Sequence, residues 1–273
     1  MWSTIIMEDL INAIILGVVQ GLSEFLPISS SGHLVLFSNL LGFEEEGVAF
    51  EVFVHFGTLL SVLLAFRKDL FEMIKALYLF GIKKDNNFRM SFMWDIYIIV
   101  GTIPVAIIGL TFKDPIESLF TDPLLVLVFL FITGFIMWLS KFFTDRHKPF
   151  NYGRVLVIGL AQTAAILPGI SRSGSTIFAG ITMGMNRVQV AKFSFLLSIP
   201  AILGAVVIKL NDLLAMPPSS GEIIILIAGT LSAFISGYVA IILLLDVVRR
   251  GKLQYFGYYC FMVSIVGLAW YVF

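Results

Sequence analysis

At 273 residues, 59% of them hydrophobic and only 13% charged, with a mean hydropathy of +0.98, the chain has far too little polar surface for a soluble globule. A bilayer must cover the rest. The net charge is zero, with no basic block apart from the membrane flanks, which argues against a nucleic-acid partner; Cys260 is the only cysteine, which excludes an intramolecular disulfide and a thiolate metal cage.

In chain order, the first apolar segment, about 9–43, is broken by Pro27 and by Gly32. No Lys or Arg precedes Arg67, so no secretory leader is expected and the first helix is retained. Runs long enough to cross roughly 30 Å of hydrocarbon follow at about 50–66, 93–112 and 123–140. A second broken segment occupies about 155–187, and further runs lie at about 193–210, 223–247 and 254–273.

The two broken segments repeat each other. Gly17, Gln20, Ser29, Ser31, Gly32 and Gly42 recur as Gly159, Gln162, Ser171, Ser173, Gly174 and Gly184, every pair offset by 142 positions. A constant register of this kind indicates internal duplication, and interrupted segments at matching positions of two halves point to a binding site.

Basic residues gather at Arg67–Arg89, at Lys141–Arg154 and at Arg249–Lys252; acidic connections lie between them at Glu44-Glu45-Glu46, at Asp114, Glu117 and Asp122, and at Asp212 and Glu222. The positive-inside rule makes the basic loops cytoplasmic. The first broken segment then enters and returns from outside, the second from the cytoplasm. The sequence thus predicts an all-α integral membrane protein, a single membrane domain built as an inverted-topology repeat. Each half is a re-entrant helical hairpin plus three transmembrane helices, with repeat 1 at about 8–140 and repeat 2 at about 150–273. Kinked full spans are the alternative to hairpins. Re-entrant backbone needs protein or a hydrated cavity around it, so a wet pocket is expected where the tips meet.

Several residues carry chemistry. Glu24 stands among apolar neighbours, where a carboxylate costs about 2.5–3.5 kcal/mol to insert and is a functional candidate by default. Gln20, one helical turn earlier, shares its face. Together they can hold a divalent cation or orient a water; a protonated Glu24 bonded within the bundle is the structural alternative. Ser29, Ser30 and Ser31 follow Pro27 and are placed at the start of the return helix, where hydroxyls cap and anions bind. His33 lies one turn past Ser30 and is a candidate base toward it, though a lone histidine is commonly a satisfied core residue. The second tip, Pro168-Gly169-Ile170-Ser171-Arg172-Ser173-Gly174-Ser175-Thr176, has the composition of a phosphate cradle. Its hydroxyls and N–H groups donate, and Arg172 grips two oxygens with permanent charge. Glu51 and His55 share a face as cavity-lining or interface residues; Asp95 and Asp246 read as solvated carboxylates. No P-loop, dinucleotide motif or H-E-x-x-H is present.

Gln20-x-x-x-Glu24, the Ser29–His33 run and the Pro168–Thr176 run closely resemble the signatures of the bacterial undecaprenyl-diphosphate phosphatase (bacitracin-resistance protein) family, from about residue 8 to the C-terminus. The resemblance implies a multi-pass plasma-membrane hydrolase that converts undecaprenyl diphosphate to the monophosphate carrier for cell-wall synthesis. It further implies a divalent cation (Mg2+ or Ca2+), a homodimer and a site open to the external face. Some members carry Glu at the position of Gln20, which weakens any scheme needing two carboxylates on a metal.

The resulting expectation is diphosphate hydrolysis at the junction of the tips. Arg172, Ser171, Ser173 and Thr176, with Ser29 and Ser31, hold phosphate, and Glu24 with Gln20 holds the cation or positions the attacking group. Ser30 is the leading nucleophile with His33 as base, with His33 or a metal-bound water in its place left open. A transporter or flippase of a phosphorylated polyprenyl lipid would use the same architecture without chemistry. A type-2 phosphatidic-acid phosphatase is disfavoured because Phe178 stands where that class has histidine.

Overall fold

The computed structural model describes residues 2–43, 49–215 and 220–272. The acidic run Glu44-Glu45-Glu46 lies outside the described residues. Among those described, the chain is all-α.

Helix α1 (Trp2–Phe25) breaks at residues 26–29 and turns back as α2 (Ser30–Leu41); α3 (Ala49–Ala65) meets α4 (Arg67–Leu79) at a 77° bend. Next come α5 (Arg89–Thr111), the short α6 (Lys113–Glu117) and α7 (Pro123–Leu139), which Asp122 caps ahead of a proline at its first turn. A second broken pair, α8 (Tyr152–Ala164) and α9 (Arg172–Thr182), precedes three long helices, α10 (Arg187–Ala215), α11 (Ser220–Arg249) and α12 (Gln254–Val272).

Helices occupy all six expected apolar runs, but among the described residues only four are long and apolar enough to cross a membrane, or five if the bent α3–α4 pair counts as one. The other two fall short for identifiable reasons. α3 has 17 residues before Arg67 and Lys68 turn the chain, and α12 carries Gln254, four tyrosines and Trp270 among its 19. The surface matches a hydrocarbon solvent. Ile99, Ile103, Ile107 and Leu110 on α5, and Leu231, Ile235, Val239 and Ile242 on α11, form exposed apolar stripes of a kind that soluble monomers rarely leave open. These helices fit a multi-pass membrane protein.

The core lies around Phe25, Phe66, Phe193 and Phe195, where α1, α3 and α10 converge. Helices approach one another through small residues, as expected where hydrocarbon offers no hydrophobic drive for association. A Cβ at Gly17 of α1 would stand 2.4 Å from the Gly229 carbonyl oxygen of α11, and one at Gly159 of α8 would stand 2.6 Å from the Gly101 carbonyl oxygen of α5. The two glycines are one of the 142-offset pairs. Each broken pair therefore packs its first arm, at the matching glycine, against a long helix from the other half of the chain.

Because a backbone carbonyl cannot swing aside, Gly17→Leu should destabilise the protein by about 1–3 kcal/mol or more through overpacking. Gly153→Leu, whose Cβ would meet only the Asn151 side chain at 3.6 Å, should be close to neutral. Thermal unfolding of both variants in detergent checks the contrast.

Candidate active site

The two breaks meet. Ser29 caps α2 by accepting from the Gly32 N–H, and Ser171 caps α9 by accepting from the Gly174 N–H, at 3.3 and 3.1 Å. Each cap also touches the next serine but one: Ser29 to Ser31 at 3.4 Å and Ser171 to Ser173 at 3.2 Å. Between the tips, the Ser173 hydroxyl donates to the Leu26 carbonyl at 3.4 Å. A Cβ at Gly174 would lie 3.2 Å from Pro27 Cβ. The N-termini of α2 and α9 thus face one region from opposite sides of the break.

α7 braces the second tip. Thr133 Oγ1 donates to the Gly169 carbonyl at 2.7 Å and accepts from the Ser171 N–H at 3.0 Å. Gly169 has φ +93°, and a Cβ there would sit 2.3 Å from the Val126 carbonyl oxygen, so only glycine fits. Ser29, at φ +71°, holds a backbone conformation that costs an L-residue about 1–3 kcal/mol. It is fixed by its cap bond and by the His33 ring on its carbonyl.

Glu24 is the hub. Its Oε1 accepts from Arg172 Nη2 at 2.5 Å, and its Oε2 accepts from the Ser30 hydroxyl at 2.6 Å and from Gln20 Nε2 at 3.1 Å. Both charged side chains are largely buried, at 7% exposure for Glu24 and 15% for Arg172. Arg172 Nη1 reaches the Ser194 carbonyl at 3.4 Å, leaving further guanidinium N–H groups for a ligand. Gln20 Oε1 is buried without a partner.

His33 does not take the place expected of it. Its Nδ1 faces the Ser29 carbonyl at 2.9 Å and its Nε2 faces the Tyr259 hydroxyl at 2.9 Å. A carbonyl only accepts, so Nδ1 carries the hydrogen and Nε2 accepts from Tyr259. Both ring nitrogens are thereby spent, and the acceptor beside Ser30 is Glu24. The helical spacing from Ser30 to His33 is real, but the ring turns toward α12 and stacks on Tyr259 with centroids 5.6 Å apart. Thr176 is likewise committed. Its hydroxyl reaches the Arg172 and Ser173 carbonyls and Ser194 Oγ at 2.9, 3.1 and 2.6 Å, and it is fully buried. It is a brace for α9, set back from the tip. Ser171, spent on its cap, supports the tip in the same way.

His55 is a neighbour to which sequence gave little weight. Its Nε2 is 4.0 Å from Glu24 Oε2, while Nδ1 faces the Glu51 carbonyl at 2.7 Å. The Glu51 carboxylate pairs with Lys209 of α10. Tyr259 and Thr133 gave no signal at all, since nothing in the sequence near them marks a site. Asp246 pairs with Arg250 in solvent at 2.8 Å, as a solvated carboxylate should, whereas Asp95 buries one oxygen without a partner.

A capped pair of helix N-termini, an arginine and a serine hydroxyl directed at a carboxylate form a constellation suited to phosphate and to nucleophilic attack. The profile of the bacitracin resistance protein BacA family matches residues 13–266. The chain belongs to the bacitracin resistance protein BacA family. Its relatives include proteins named undecaprenyl-diphosphatase from Methanobrevibacter smithii, 44% identical over 94% of this chain and 96% of the relative. Another from Methanosphaera stadtmanae is 42% identical over 95% and 97%, and one from Halothermothrix orenii is 42% identical over 94% and 96%.

Within this BacA-family site, Thr133→Val should leave the Gly169 carbonyl and Ser171 N–H unpaired, at about 1–3 kcal/mol in stability. Thr133→Ser should keep both bonds. Denaturation midpoints of the pair, read beside activity, test whether α7 holds the second tip.

Proposed function

We propose that this protein hydrolyses undecaprenyl diphosphate to undecaprenyl phosphate and phosphate. The observation that carries the reading is the Ser30–Glu24–Arg172 chain of hydrogen bonds across the two helix breaks, in a chain whose relatives bear the name of that activity. The terminal phosphate is held by the free guanidinium N–H groups of Arg172, by Ser31 and Ser173, and by the dipoles of α2 and α9. Ser30 Oγ attacks the terminal phosphorus while its proton passes to Glu24 Oε2, and the bond to the bridging oxygen breaks to release the prenyl monophosphate. Water then cleaves the phosphoserine, with Glu24 relaying the proton back. Arg172 stabilises the phosphoryl oxygens throughout. His33, locked between Ser29 and Tyr259, fixes the first turn of α2 and hence the aim of Ser30.

A divalent cation, Mg2+ or Ca2+, belongs to the same reading. Gln20 Oε1 is a buried oxygen without a partner, on the amide whose Nε2 donates to the Glu24 carboxylate. That donor set suits a hard cation completed by substrate phosphate oxygens. Gln20 and Glu24 would hold it, and when bound it supplies charge neutralisation to the diphosphate. The plasma membrane, a site open to the external face and a homodimer are the remaining parts of the proposal, with undecaprenyl phosphate recycling and bacitracin resistance as its physiological setting.

The same proposal includes the inverted repeat. The matched caps, the shared 142-residue offset and the crossed packing of Gly17 and Gly159 support two hairpin-plus-three-helix halves at about 8–140 and 150–273. Single cysteines at positions 84, 148 and 117, in a Cys260→Ser background, give the test. An impermeant thiol reagent on intact cells should label position 117 and spare 84 and 148; labelling of either lysine position from outside overturns the scheme.

For the chemistry, the purified, reconstituted protein should release phosphate from polyprenyl diphosphates; a pure flippase would release none. Ser30→Ala, Glu24→Gln and Arg172→Lys should each lose at least a hundredfold in kcat/KM, the last because an ammonium cannot reproduce a planar two-point grip. His33→Ala should cost less, since it acts through position alone. Rapid quenching with labelled diphosphate should trap a phosphoserine at residue 30. A phosphohistidine at residue 33 would transfer the nucleophile's role there.

A further inference from the structure

Helix α4, away from the two tips, presents three different faces. Met73 and Ala76 turn inward, at 8% and 0% exposure, and Met73 joins the core with Leu70 packed against it. Phe71, Ile74 and Tyr78 are spaced three and four residues apart, which puts them on one stripe, and they are 59%, 65% and 53% exposed. Lys68, Glu72 and Lys75 are exposed as well. Their spacing sets them on a third face that borders the stripe.

No single solvent accounts for the two outer faces. A helix in water gains nothing from the exposed stripe, and a helix in hydrocarbon cannot carry the charged face. With 13 residues, among them Arg67, Lys68, Asp69, Glu72 and Lys75, α4 does not cross the bilayer: it is only about 20 Å long, against a core of roughly 30 Å. The 77° bend from α3 turns it sideways instead. Its lysine heads stay at the edge of the apolar face. Lys75 Nζ lies 4.4 Å from the centroid of the Phe71 ring, and Lys83 Nζ lies 5.1 Å from that of Tyr78, the arrangement of side chains that run along apolar surface and keep their charge at its rim. The charge there is unbalanced. Asp69 is already paired with Lys192 of α10 at 2.5 Å, which leaves Glu72 among Arg67, Lys68, Lys75, Lys83 and Lys84.

We infer that α4 is an interfacial helix docked on anionic phospholipid. Its Phe71–Ile74–Tyr78 stripe enters the acyl boundary of the leaflet at the Arg67 end of α3, while Lys68, Lys75, Lys83 and Lys84 meet the phosphate-bearing headgroups. The charge selects this occupant. A second copy of the chain would bring the same excess of positive charge to the stripe, whereas a leaflet with anionic headgroups matches the apolar and the basic face together. The inference stands apart from the reaction and holds whatever the tips catalyse.

A bimane label on Ile74→Cys, in a Cys260→Ser background with an unchanged unfolding temperature, reads the contact in the full-length protein. The protein is reconstituted in equimolar phosphatidylcholine and phosphatidylglycerol vesicles in which one lipid or the other carries bromines close to its headgroup. Brominated phosphatidylglycerol should quench the label more than brominated phosphatidylcholine by roughly twofold or more. The same label on Ile99→Cys, in the apolar stripe of α5, should be quenched equally by both. Replacing Lys68, Lys75, Lys83 and Lys84 together by Gln should bring the ratio at position 74 to one without abolishing quenching, and raised salt should do the same to the unsubstituted lysines. Equal quenching at position 74 by the two lipids in low salt removes anionic phospholipid as the partner. Absence of quenching by either takes the stripe off the membrane, and a disulfide between the position-74 cysteines of two copies at low protein-to-lipid ratio assigns the face to a second chain; each of these results overturns the inference.

Discussion

One buried ion pair joins the two halves of this molecule. Glu24, at the end of α1, and Arg172, at the start of α9, lie 148 positions apart in the chain and meet only because both helices stop short. Neither charge is affordable alone at that depth. Removing one partner of a buried pair costs about 3–5 kcal/mol, since the survivor is left uncompensated. The pair therefore ties the position of one break to that of the other, and everything polar at the junction is arranged around it. The same carboxylate accepts from Arg172 at one oxygen and from Ser30 at the other, so the ion pair also fixes the hydroxyl of the first turn of α2.

The pair can form because the helices come unusually close elsewhere. Gly17 against Gly229 and Gly159 against Gly101 bring backbones together at two crossings, and each crossing joins a broken pair to a helix from the other half. Thr133 extends the principle to α7, giving one hydroxyl to two backbone groups of the second tip. Tyr259 on α12 does the same for the first tip through His33. Residues remote from any motif thus set the geometry of the motif residues.

The hydroxyls at the two tips divide between backbone groups and side chains. Ser29 and Ser171 satisfy backbone N–H groups, and Thr176 satisfies carbonyls within α9. Ser31 and Ser173 touch the caps, and Ser30 alone is directed at a carboxylate.

The amino-acid sequence by itself determined the class and the map of this protein. Composition required a bilayer, the apolar runs became helices, the 142-residue offset marked two matching breaks, and Gln20, Glu24, Ser30 and Arg172 were legible as one constellation because inserted charge and helix-breaking Pro and Gly are costly unless used. Local spacing could not say which way a ring turns. His33 stood one turn from Ser30 in sequence, yet α12 offered Tyr259 and the ring went there; Thr176 fitted a phosphate cradle, yet the adjacent α9 carbonyls and Ser194 claimed its hydroxyl. The contacts of His55, Thr133 and Tyr259 with the two tips came only from tertiary packing. Each depends on which helix lies beside which, and helix adjacency is decided by close backbone contacts between residues a hundred or more positions apart.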